Sequence, residues 1–241
     1  MCARFSLIAP HELLAEIFDV EIDFELLPRA NIAPTQPVVI IREQEGKRES
    51  AQATWGLIPF WADSPSVATR MINARSESAL EKGAFKHAMA KRRCLIPTSG
   101  FFEWDTEYPE SPALSLFDDA PAPKGKPIKQ PYLFRSPDRR PFAMAGLWER
   151  WKSPEGTTRE TCTILTTTPN RLLAQIHDRM PCLLTPDLFE DWLSPETPKE
   201  AAHQMLTPAP EDAMIQLKVS REMNSALVDN LDLLKNLDQP T

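Results

Sequence analysis

A succession of short β-branched, aromatic and aliphatic runs, each cut off by proline or a charged turn, constrains this chain more than any other feature. The stretches 38–42 (VVIIR) and 51–57 (AQATWGL) read as strands around the charged turn 43–47 (EQEGK). The pattern repeats at 94–104, 131–135, 142–151, 161–168, 182–184 and 213–219. Helical spacing is confined to four places. It appears at 11–18 behind Pro10, at 76–92, at 186–193 and at 198–206. The second of these predicts a helix starting just after Arg75, with Ser78 and Glu81 as a capping box. Twenty-four prolines against seven glycines favour stiff, extended connections over tight positive-φ turns. So many strands with so few helices argue against a doubly wound α/β fold. They predict an α+β fold spanning 1–241 as one domain, built on a curled, mixed, barrel-like sheet with flanking helices. The Pro-rich stretch 109–131 reads as a projecting loop.

With 241 residues, 42% hydrophobic and 25% charged, the chain can bury a sizeable core. It contains no apolar run long enough for a membrane helix and no secretory signal pattern, so a cytoplasmic address is expected. Cys2, Cys94, Cys162 and Cys182 show no metal-ligand spacing, and no metal or cofactor is expected. The last three read as reduced core thiols. A formal charge of −7 excludes a protein that coats nucleic acid by bulk electrostatics. Its cations are nevertheless clustered, at Lys86, Lys91, Arg92 and Arg93 and again between Lys124 and Arg140. These clusters either line a local basic groove or lie on solvated faces.

Cys2 follows the initiator methionine directly. Once Met1 is clipped, the residue carries an α-amine and a thiol on adjacent carbons, and such a 1,2-aminothiol is a reagent for aldehydes. The amine, with a reference pKa of about 7.7, forms a Schiff base, and the thiol can then close a five-membered ring on the same carbon. Four polar clusters stand in otherwise apolar sequence. Asn73 and Arg75 offer an amide and a guanidinium beside a helix start. Glu103 lies among Phe101, Phe102 and Trp104, where desolvation would raise its pKa. His177, Asp178 and Arg179 supply a proton carrier among charges. Trp55, Phe60 and Trp61 around Pro59 form a platform that could stack on bases. Taken singly, each cluster also has a purely structural reading: a buried ion pair between Arg75 and Glu103 or Asp178, core aromatics, a satisfied buried histidine.

The motifs MCARF, NIAPTQP, WGLIPFW, INARSES, RRCLIPTSGFFEW, AGLWE, IHDRMP and VSREMN occur in that order from Met1 to about Asn230. In this order and spacing the chain resembles the SOS response-associated peptidase family of abasic site processing proteins. The resemblance implies that Cys2, Glu103 and His177 are catalytic. It places Asn73, Arg75, Trp61 and Thr166 among the residues that bind substrate and DNA. It implies a partner, single-stranded DNA containing abasic sites, including junctions with duplex, engaged by a monomer that associates with the nucleoid. The implied chemistry is a thiazolidine crosslink through Cys2, with lyase activity on the side. An N-terminal-cysteine peptidase and a noncatalytic single-strand binding module are the alternatives. Two departures from the family pattern stand out: Ala3 where glycine is usual, and Thr98-Ser99 where an Ala-Asp pair is common.

Overall fold

The computed structural model describes residues 2–108, 126–235 and 237. The strands among them begin with β1 (Arg4–Leu7), β2 (Arg29–Ile32), β3 (Pro37–Gln44), β4 (Lys47–Trp55), β5 (Asn73–Arg75) and β6 (Arg93–Thr98). They continue with β7 (Gly100–Glu107), β8 (Ile128–Arg135), β9 (Phe142–Lys152) and β10 (Thr158–Thr167). Three short ones close the set: β11 (Met180–Pro181), β12 (Leu183–Leu184) and β13 (Ile215–Lys218). The helices are α1 (His11–Phe18), α2 (Ser76–Ala79), α3 (Lys86–Lys91), α4 (Phe189–Leu193) and α5 (Lys199–Gln204).

Five strands close into a barrel in the order β10-β4-β3-β6-β9 and back to β10. An odd ring cannot alternate direction all the way round, so one neighbouring pair has to be parallel. That pair is β4 with β10, where Trp55 stands opposite Cys162; the other four contacts are antiparallel. The barrel strands β6 and β9 are buried almost end to end, which explains why they read as continuous apolar runs instead of alternating ones. A second, wholly antiparallel sheet runs β13-β8-β7-β1-β2. The chain passes between the two sheets at Ser99, between the last residue of β6 and the first of β7. The curled mixed sheet with flanking helices is therefore the expected α+β fold.

Aromatic contacts tie the layers together. Phe5 of β1 meets Trp55 of β4 edge to face at 5.2 Å across the two sheets, while within the second sheet Phe101 stacks on its cross-strand partner Phe134 at 5.3 Å. Helix α1 buries Leu14 and Phe18, and Phe18 stacks on Phe189 at 5.3 Å. All four cysteines are buried free thiols.

Three expectations need correction. The helix expected over 76–92 does start just after Arg75, at Ser76, but it is two short helices separated by a turn containing Gly83. Ser78 therefore lies inside α2, where its hydroxyl donates to the Arg75 carbonyl, and forms no capping box with Glu81. The stretch 94–104 is two strands belonging to different sheets. The expected loop 109–131 ends earlier than its composition suggests: 109–125 lie outside the described residues, but Lys129, Gln130 and Pro131 pair with Thr106, Asp105 and Trp104 in the second sheet. The two departures from the family pattern are accommodated. Ala3 is not among the positive-φ residues, and the Ser99 hydroxyl accepts from the Ile8 and Ala9 N–H groups at 2.9 and 3.2 Å.

Gly56 leaves β4 at φ +129, and a Cβ there would lie 2.7 Å from the Ala68 carbonyl oxygen. Backbone strain and the clash together put the cost of Gly56→Ala at about 2–3 kcal/mol, read as a Tm loss of roughly 5–10 °C. Gly83→Ala, with nothing within 4 Å of the added carbon, stays within about 1 kcal/mol of the parent. Equal melting temperatures for the two variants would contradict the packing described around Gly56.

Candidate active site

The antiparallel pairing of β1 with β7 sets Arg4 opposite Phe102, which brings the residues before Arg4 alongside Glu103 and Trp104. Cys2 is fully buried there, its Sγ directed at the Arg4 carbonyl oxygen at 3.7 Å. From the other side comes β5, a three-residue strand held parallel to β10 by the register Asn73 to Ile164, Ala74 to Leu165 and Arg75 to Thr166. Alternation along so short a strand puts Asn73 and Arg75 on one face. Asn73 is half-buried and donates its Nδ2 to the Cys2 carbonyl oxygen at 2.7 Å. Its Oδ1 is also buried, with no hydrogen-bond partner among the described residues. The N-terminal segment of one sheet is thus pinned to a strand of the other.

Glu103 and His177 complete the cluster, with His177 Nε2 4.0 Å from a Glu103 carboxylate oxygen. Burial raises the Glu103 pKa to about 7, and the Asp178 charge adds to the effect. Burial pushes the Cys2 thiol far up as well, with the Glu103 charge reinforcing it, so the thiol is neutral. The His177 pKa is lowered, again chiefly by burial, and the Lys129 charge contributes. His177 Nδ1 stands 3.0 Å from the Arg179 backbone N–H and 3.0 Å from an Asp178 carboxylate oxygen. A neutral ring therefore accepts from Arg179 at Nδ1 and carries its proton on Nε2, facing Glu103. Protonation of Nδ1 would turn that nitrogen toward Asp178, so the ring can hold a proton in either state. Behind His177 the Arg179 guanidinium grips the Glu77 carboxylate at 2.6 and 2.8 Å and donates to the Thr166 carbonyl at 2.5 Å.

The structure brings Cys2, Asn73, Glu103 and His177 together. Arg75 is exposed on the rim, paired with neither Glu103 nor Asp178 among the contacts seen. Trp61 and Phe60 are 55% and 50% exposed on the loop after β4, open for stacking, whereas Trp55 is core. Thr166 is fully buried, its hydroxyl 3.4 Å from the Ala74 carbonyl. It stands opposite Arg75 in the pairing of β10 with β5 and supports that strand. The cations at 92 and 93 part ways: Arg92 pairs with buried Glu149 and lines a cleft with Phe60, His87 and Arg150, whereas buried Arg93 donates to the carbonyls of Trp192, Met89, Ala90, Ser194 and Thr197. Residues near the site that the sequence did not place there are Arg4, Lys129 and Asn224. Arg4 lies 5.8 Å over the Trp104 ring, and Asn224 accepts from the Trp104 indole at 2.6 Å. All three had a visible signal, Arg4 in MCARF beside Cys2, Lys129 in the basic run and Asn224 in VSREMN, but only the fold joins them.

The fold is thus a closed mixed barrel with a second sheet that sets a buried Cys2 beside an amide, a carboxylate and a histidine. Comparison with known proteins is specific: the profile described as SOS response associated peptidase (SRAP) matches residues 1–226, and the chain belongs to that family. It is 33% identical over 240 residues to the Bacillus subtilis abasic site processing protein YoqW, covering 98% of this chain and 100% of the relative. It is 30% identical to Escherichia coli abasic site processing protein YedK, covering 84% of each chain. Among solved structures, a Bacteroides thetaiotaomicron protein superposes with a TM-score of 0.76 at 28% identity, over 92% of this chain and 93% of that one. No helix among the described residues is long and apolar enough to cross a membrane.

The raised pKa of Glu103 makes a signed prediction. Ionising this carboxylate costs more in the fold than in the unfolded chain, so the parent loses stability as pH rises from about 4.5 through about 7. Glu103→Gln cannot ionise. The difference in Tm, variant minus parent, should therefore be smallest near pH 4 and most positive near pH 8. Thermal melts giving a pH-independent difference would show that Glu103 is not held out of its ordinary range.

Proposed function

We propose that this protein processes abasic sites in single-stranded DNA, capturing the sugar aldehyde in a thiazolidine formed with Cys2 after removal of Met1. The observation that carries the reading is the convergence of Asn73, Glu103 and His177 on Cys2, together with the family membership. An abasic deoxyribose interconverts between a closed ring and an open aldehyde at C1′. Opening breaks the C1′–O4′ bond and requires a proton on O4′, and the neutral His177 carries one on Nε2. The Cys2 amine then adds to C1′, and loss of water gives an imine. Glu103, with a pKa of about 7, exchanges the protons that the amine releases and the departing hydroxyl takes up. The Cys2 sulfur next bonds to the imine carbon, its proton ending on nitrogen. Aldehyde plus aminothiol becomes thiazolidine plus one water, with no change of oxidation state. Ring closure removes the imine electron sink that β-elimination of the strand would need.

The recognition parts of the reading are separate from this chemistry. Arg75 on the rim suits a flanking phosphate, and Trp61 and Phe60 suit splayed bases. A monomer working on single strands, or at their junctions with duplex, fits a target sugar that has to be turned out toward a buried thiol.

The test is crosslinking to a single-stranded oligonucleotide carrying one abasic site, resolved after heating in denaturant. The parent gives a heat-stable adduct. Cys2→Ser keeps the amine and forms an adduct only when the imine is trapped by a reductant. Glu103→Gln and His177→Ala, measured at saturating protein, slow adduct formation by about 10²-fold. A Cys2→Ser adduct as durable as the parent's would refute the thiazolidine. Unperturbed rates in both other variants would reduce Glu103 and His177 to structural roles.

A further inference from the structure

We propose that Asn224 is a positioning residue that locks Arg4 and Trp104 into a preformed platform for the nucleotide flanking the captured sugar; this rests on the DNA reading above. The segment carrying it crosses the second sheet as a strap fixed on both sides. Before it, Val219 and Met223 are buried against Phe102 and Leu133. After it, the Asn31 side chain donates to the carbonyls of Ser225 and Val228 at 3.0 and 2.8 Å, and the Asp229 carboxylate accepts from the Ala30 and Asn31 N–H groups at 2.6 and 3.0 Å. Arg29 closes the same carboxylate.

Between these anchors, Asn224 joins three strands around the reactive cysteine. Its Oδ1 accepts from the Trp104 indole N–H at 2.6 Å, and its Nδ2 donates to the Lys129 carbonyl at 3.0 Å. Its own carbonyl lies 3.5 Å from Arg4 Nη2, while the Met223 carbonyl accepts from Arg4 Nη1 at 3.2 Å. Asn31 Oδ1 takes a further Arg4 contact at 3.0 Å. Arg4 is two residues from Cys2, Trp104 follows Glu103, and the Lys129 charge acts on His177. Every member of the platform is thus a near neighbour in sequence or field of a reacting group, yet Asn224 touches none of them.

Only an amide fits this place. It offers an acceptor and a donor from one planar end, so it satisfies the indole and the Lys129 carbonyl together. Aspartate could accept from Trp104 but would face the Lys129 carbonyl with no proton and set a negative charge where a phosphate must approach Arg4. With the indole and guanidinium already ordered, docking a nucleotide need not fix them.

The experiment measures half-saturation for undamaged single-stranded DNA by anisotropy, and crosslinking rate against protein concentration with an abasic oligonucleotide. Asn224→Ala should weaken binding about five- to tenfold and shift the half-saturating concentration for crosslinking by the same factor, a loss recovered at high protein. Asn224→Asp should weaken binding further. In a Trp104→Phe background, which keeps a ring but lacks the N–H, Asn224→Ala should have a much smaller effect. A merely structural role would lower Tm while leaving half-saturation and its dependence on Trp104 unchanged, and that result overturns the proposal. So would a fall in saturated rate without a shift in half-saturation. A parent that binds DNA but forms no adduct refutes the crosslinking chemistry alone, because the binding measurement still reads Asn224; a parent that binds no DNA overturns both.

Discussion

One hydrogen bond, from the Asn73 side chain to the Cys2 carbonyl at 2.7 Å, joins the two sheets at the residue on which the proposed chemistry depends. Without it the N-terminal residues would be a fraying end, since β1 begins only at Arg4 and a chain terminus is ordered only where something ties it down. What makes the bond possible is a parallel strand of three residues, β5, laid against β10 beyond the point where β4 leaves it. The odd count of barrel strands requires a parallel neighbouring pair, here β4 with β10, and from that pair the chain leaves through Gly56 and runs on to Asn73. The position of Cys2 is in this sense tied to barrel closure.

Burial gives the site its electrostatic character. The thiol of Cys2 is kept protonated, the carboxyl of Glu103 is moved to about 7, and the ring of His177 is kept neutral, all with desolvation as the leading cause. A site of uncharged groups suits the addition of a neutral amine and thiol to a carbonyl, where protons have to be exchanged among groups of similar affinity. A thiolate-based hydrolase would need the opposite arrangement, with cations depressing the thiol. Positive charge is kept to the rim and to the Arg4, Trp104 and Lys129 side of the site, so an acidic chain can still offer a strand of DNA a local foothold.

Strands with dense apolar runs were legible because burial on both faces leaves no alternation to misread, and helix α1 because Pro10 and the spacing of Leu14 and Phe18 agree. The break at Gly83 and the start of β8 were not legible: Lys129 and Pro131 look like loop composition, and only pairing with β7 makes them strand. Among site residues, Glu103 announced itself by its aromatic neighbours and Cys2 by its place in the chain. Thr166 could not be assigned from sequence, since whether a strand threonine faces a ligand or a carbonyl depends on register. Arg93 misleads for a related reason, because a buried guanidinium that satisfies five carbonyls looks in sequence like one waiting for a phosphate. Asn224 stands in a visible motif, but its contacts are not legible there, its partners lying 95 to 220 residues away.

The central claim is that one carbon of the sugar bonds to both the nitrogen and the sulfur of Cys2. It is tested most directly by mass spectrometry of the N-terminal peptide, recovered after the abasic adduct is digested with nuclease and protease and treated with a thiol alkylating agent. The account predicts a peptide beginning at Cys2, heavier by the sugar fragment less one water, with the thiol unalkylated and the α-amine blocked. A peptide whose Cys2 takes up the alkylating agent, or a sugar carried by any lysine, would contradict it.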